Sequence, residues 1–102
     1  MEYVNLTPHT VNLNDGRAFP PSGNLARVAV HFFEFKNDIT EQVFGSVIGA
    51  PSEKYGVMYI VSGIVLAASN RKDFVAPATG HPQVIRNDKG QIISVPGFVK
   101  KS

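Results

Sequence analysis

The chain has 102 residues, three histidines, no cysteine and a formal net charge of +2. That length holds a single domain, residues 1–102, with one core. The lack of cysteine excludes disulfides, thiolate nucleophiles and cysteine-ligated zinc, and no apolar run reaches the roughly 18 residues a membrane-spanning helix needs.

Tyr3-Val4-Asn5-Leu6 reads as a short strand, stopped by Thr7-Pro8. Val11 to Asn14 and Arg17 to Phe19 flank Asp15-Gly16, a strong hairpin signal. Pro20-Pro21-Ser22-Gly23 is a turn. Leu25 to Phe35 is the longest strand-like run, with Val28, Val30 and Phe32 on one face and Arg27, Ala29, His31, Phe33 and Phe35 on the other. Both faces carry apolar residues, which predicts a central strand or one packed at an interface. Ile39 to Ile48 predicts another strand, with Gly45 as a bulge.

Val57 to Val61 is a nearly continuous apolar strand. Ser62 is placed to cap a short helix over Gly63 to Asn70, whose apolar stripe is Ile64, Ala67 and Ala68 with Val65 beside it. Phe74-Val75-Ala76 is extended and closed by Pro77. Pro82 to Arg86 and Gln91 to Val95 predict a last hairpin around Asn87-Asp88-Lys89-Gly90. The expected class is mainly β (α+β): a small, mostly antiparallel sheet or partly closed barrel with one short helix near residues 63–70.

No phosphate-loop or dinucleotide glycine pattern occurs, and no Gly-x-Ser-x-Gly elbow. His9, His31 and His81 have no metal-ligand spacing, so neither a metal nor a cofactor is expected. What remains is polar residues beside strand ends. Asn5, Thr7 and His9 either satisfy a turn or offer hydrogen bonds and an imidazole to a ligand. Arg27 interrupts an apolar run; it either pairs with a carboxylate such as Asp73 or Asp88 or grips a phosphate. Arg86 poses the same choice, and Arg71 with Lys72 is either a solvated end or part of such a grip. The stiff loop Ala76 to Pro82 is either a simple crossover or a place where Thr79 and Gly80 meet an anion.

Charge is uneven along the chain. Residues 1–51 carry three Lys/Arg against five Asp/Glu, net −2, and residues 52–102 carry seven against three, net +4. A mildly basic half suits a small anionic ligand. It is too sparse for duplex nucleic acid. Met1-Glu2-Tyr3-Val4-Asn5 lacks the basic-then-apolar order of a secretory leader, and for a chain without cysteine the cytoplasm is the expected compartment.

The run Val4-Asn5-Leu6-Thr7-Pro8-His9 resembles the opening of a family of small bacterial, prophage and phage proteins that begin Asn-Leu-Thr-Pro-His. The likeness continues through Pro20-Pro21-Ser22-Gly23 with Ala26-Arg27-Val28, Tyr59-Ile60-Val61-Ser62, Asp73-Phe74-Val75-Ala76-Pro77 with Thr79-Gly80, and Arg86 with Gly90 and Ile92. The segment Ile39 to Lys54 departs from that pattern, so no site is expected there. The resemblance implies a phage or mobile-element setting. Small phage proteins in that setting include sponges that sequester nucleotide immune signals, such as cyclic ADP-ribose isomers or cyclic oligonucleotides.

The expectation is therefore a non-enzymatic sponge for a small anionic nucleotide, held by Asn5, Thr7, His9, Arg27, Ser62, Arg71, Thr79, Gly80 and Arg86. A chain this short builds an enclosed pocket more easily between protomers, so a homo-oligomer is expected. Two alternatives stand beside it. One is a protein-interaction module using Phe32, Phe33 and Phe35 or Val57-Met58-Tyr59. The other is a nucleotide-processing enzyme using His9 or His81.

Overall fold

The computed structural model describes residues 1–102. Its elements are β1 (Glu2–Asn5), β2 (Val11–Asn12), β3 (Ala18–Phe19), β4 (Arg27–Phe32), β5 (Gln42–Ile48), β6 (Val57–Ile60), α1 (Gly63–Ala68), β7 (Phe74–Pro77), β8 (Ile85–Arg86), β9 (Ile92–Ser94) and β10 (Phe98–Val99). The chain is mainly β with one short helix, and its sheets close into no barrel.

The centre is a four-stranded sheet in the order β1-β6-β7-β10. β6 lies parallel to both β1 and β7, whereas β7 and β10 are antiparallel. The β6–α1–β7 segment is a small crossover unit, the connection that parallel neighbours require. Three peripheral hairpins, β2–β3, β4–β5 and β8–β9, are antiparallel.

Successive side chains on a strand point to opposite faces, and both faces of the central sheet are covered. On one face Tyr59, Val61, Phe74 and Ala76 pack with Leu6 and with Val65 and Leu66 of α1. On the other, Ile60 and Val75 pack with Val11, Leu13 and Val95, flanked by an aromatic cluster of Tyr3, Phe19 and Phe98. The helix stripe differs from the expected one. Val65 and Leu66 are buried while Ile64 is exposed. In a helix of six residues two adjacent positions suffice to meet the sheet, so no longer stripe has to form.

Asp15-Gly16 turns the β2–β3 hairpin as expected, with Gly16 at φ 96° and the Arg17 carbonyl accepting from the Leu13 N–H. The run Leu25–Phe35 is not a central strand. β4 pairs only with β5, and the ribbon projects from the body. The fold measures 48 × 39 × 27 Å with a radius of gyration of 15.5 Å, against about 13 Å for a compact 100-residue domain.

Val28 pairs with Val47 and Val30 with Phe44, so β5 bulges at Gly45–Ser46. The tip is a two-residue turn whose Asn37 and Asp38 both have positive φ, 51° and 70°. That is the conformation that matches strand twist in a tight hairpin, and Asn-Asp suits it. At the base, Gly49 has φ 88°, and a Cβ there would lie 2.1 Å from the Leu25 carbonyl oxygen. Only glycine fits where the arm returns to the body.

Candidate functional site

Asn5 ends β1 and is almost fully buried, yet every hydrogen-bonding position of its amide is used. Its Nδ2 donates to the carbonyls of His9 and Phe19, both at 2.8 Å. Its Oδ1 accepts from the Thr7 N–H at 2.9 Å and the Thr7 hydroxyl at 2.7 Å. Its backbone carbonyl accepts from the Ser22 hydroxyl at 2.6 Å. Asn5 therefore ties the Thr7-Pro8-His9 turn, the end of β3 and the Pro20–Gly23 loop together. It shapes the rim of a site and has no amide position left for a ligand.

The cavity beside that turn has a volume of about 350 Å³. Thr7 and His9 line it from the β1–β2 turn, Ser62 from the β6–α1 junction and Thr79 from the end of β7. Thr10, Asn12 and Ser94 add polar groups, and Val11, Ile92, Ile93 and Val95 supply apolar wall. Thr7 spends its proton on Asn5 and faces a ligand with lone pairs. Ser62 accepts from the Val65 N–H at 3.3 Å, which leaves its own proton free to donate. The lining contains one imidazole and no lysine, arginine, aspartate or glutamate. Such a lining offers hydrogen bonds and shape without a formal counter-charge from lysine, arginine or a carboxylate.

The arginines do not join it. Arg27 is exposed at the base of β4, opposite Ile48. Arg86 is exposed in β8 and donates to the Gly90 carbonyl at 2.8 Å, closing its own turn. Arg71 is half-buried and bidentate on Asp73, Nε to Oδ1 at 2.9 Å and Nη2 to Oδ2 at 2.6 Å. Its guanidinium lies 4.4 Å from the Phe74 ring centre. The Asp73 hydrogen bond raises the Arg71 pKa above its ordinary value. Asp73 is thus the partner of Arg71, not of Arg27.

Arg71 also lines a separate cleft of about 400 Å³ with Lys72, Lys100 and Lys101. The Lys101 ammonium donates to the carbonyls of Ala67 and Ser69, capping the end of α1. This basic cleft escaped the sequence reading because Lys100 and Lys101 lie some thirty residues from Arg71. Gly80 and His81 line a further cavity that shares Thr79 with the first. His81 Nδ1 accepts from the Gln83 N–H at 3.1 Å. His31 stacks edge-on against Phe33 in the arm. No helix is long and apolar enough to cross a membrane.

Comparison of the chain with protein-family models, with curated proteins and with solved structures finds no match.

Proposed function

We propose that this chain is a non-catalytic binding protein that captures a small anionic nucleotide signal and acts as a sponge against host defence. One observation supports this most. Thr7, His9, Ser62 and Thr79, from three separate parts of the sequence, line one cavity of about 350 Å³, at the small end of ligand-pocket sizes. Its uncharged lining suits the ribose and base of such a ligand. The phosphates then lie at the rim, in the weak positive field of a second half that carries net +4. The phage setting, and with it the host cytoplasm, rests on the Asn-Leu-Thr-Pro-His resemblance. A homo-oligomer suits the open mouth of the cavity, which a second copy would narrow.

The test is retention. The protein is mixed with a panel of cyclic and linear nucleotides, freed of unbound ligand and heated to release what it holds. One nucleotide should return unchanged and in stoichiometric amount, and Thr79→Val should weaken its binding about tenfold, the worth of one good hydrogen bond. Recovery of an altered nucleotide would make the chain an enzyme, with His9 the placed acid–base group. Retention of none would defeat the reading.

A second reading, a protein-interaction module, is favoured by the exposure of Phe32, Phe33 and Phe35. The other patch considered for it is not available, because Tyr59 is buried in the core.

A further inference from the structure

The β4–β5 arm carries Val30, Phe32, Phe33, Phe35, Ile39, Val43, Phe44 and Ile48 in exposed positions. Val30, Phe32 and Phe44 share the face whose base, Val28 and Val47, already packs on the body. Apolar surface therefore runs outward from the core without a break. Phe32 is 58% exposed and Phe35 71%. At about 150–250 Å² for a whole aromatic side chain, Val30, Phe32 and Phe44 offer on the order of 300 Å² on this face, while Phe33, Val43 and Ile48 lie on the opposite face.

The body is correspondingly short of core. Only 15 of 102 residues are buried, and no disulfide compensates. The tip is acidic, with Glu34, Asp38 and Glu41 against Lys36. The body presents the opposite sign in the cleft of Arg71, Lys72, Lys100 and Lys101. One chain thus carries both halves of a complementary pair.

We propose that the arm is a self-association element that lies across the body of a second copy. Val30, Phe32 and Phe44 become buried, and the acidic tip lies over the basic cleft of the other copy. The exchange is reciprocal, as a two-fold dimer requires. Pairing of each copy with the other doubles the buried area without any further surface.

Sedimentation and light scattering over a dilution series test this. The wild-type chain should be a dimer or larger closed oligomer that dissociates on dilution. Phe32→Ser with Phe44→Ser should give a monomer with unchanged circular dichroism. Because those changes also touch the ribbon itself, a second pair of variants reads the charges alone. Glu34→Lys with Glu41→Lys should weaken association about tenfold or more at low salt, and adding Lys72→Glu with Lys100→Glu should restore it. A wild-type chain that is monomeric at its highest soluble concentration would overturn the proposal, including where the arm instead captures another protein or a vesicle. So would an oligomer indifferent to both sets of variants.

Discussion

The central sheet and the β4–β5 arm are built from the same kind of strand and have opposite fates. In β6 and β7, apolar residues on both faces meet α1 on one side and two hairpins on the other, and Tyr59, Ile60, Phe74 and Val75 are buried. In β4 and β5, apolar residues on both faces meet nothing beyond the base, and Val30, Phe32, Val43 and Phe44 stay exposed. An apolar run states that a strand wants cover on both sides; it does not state whether the cover comes from the same chain. In the body the cover is internal, and the cavity forms where the covering loops meet the sheet ends. In the arm, the cover comes from the proposed second copy.

The comparison breaks most visibly at two phenylalanines. Phe74→Ala should cost about 4 kcal/mol in urea unfolding, because it opens a cavity in a core that cannot collapse onto it. Phe35→Ala, at the arm tip, should stay within about 0.5 kcal/mol under dilute conditions where the chain is dissociated. Equal costs would mean that the arm folds back onto the body in solution.

Asn5→Ala should follow at about 3 kcal/mol in the same measurement, because it strands the Thr7 N–H and removes the amide donor to the carbonyls of His9 and Phe19. Asn5→Asp should not rescue it, since a carboxylate facing two carbonyls has nothing to donate. Asp73→Asn should cost about 2 kcal/mol, between the values for exposed and buried pairs, as it leaves the half-buried Arg71 with a weaker partner.

The smallest effect concerns the exposed β2–β3 turn. There the Arg17 backbone N–H, aided by the Arg17 side chain, holds the Asp15 carboxyl below its ordinary 3.8 despite a small opposing desolvation. A carboxyl depressed in the folded state stabilises above 3.8 and loses that contribution as pH falls through its folded value. Asp15→Asn should therefore lower stability slightly at neutral pH, make little difference in acid where the carboxyl is protonated in both states, and flatten the profile below about pH 4, as a urea midpoint series against pH would read.

Much of the body was legible in the sequence because local chemistry decides it. Asp15-Gly16 turns a hairpin, Ser62 caps a helix, and Phe74 to Pro77 forms a strand, all from residues adjacent in sequence. The two parallel pairings at the centre left a usable trace in the unbroken apolar run Val57–Val61, since strands buried on both faces lose their alternation. Asn37-Asp38 falls between the two predicted strands Leu25–Phe35 and Ile39–Ile48, and it forms the turn that joins β4 to β5. β10 is two residues long and left no periodicity to read. For the site, Thr7, His9, Ser62 and Thr79 do meet, but Arg27, Arg71 and Arg86 go to separate places. An arginine in an apolar strand announces that it must reach water or an anion, and the topology decides which. Asn5 was legible as a residue that either satisfies the turn or meets a ligand, and the choice rests on partners up to fourteen residues away that no local pattern shows.

The central claim, that the cavity between the β1–β2 turn, Ser62 and Thr79 is the binding site, is tested most directly by amide chemical shifts on titration with the nucleotide retained from the panel. The account predicts saturable shifts centred on Thr7, His9, Ser62 and Thr79, with the arm and the Arg71–Lys100 cleft little changed. Shifts confined to that basic cleft, or to the arm, would contradict it.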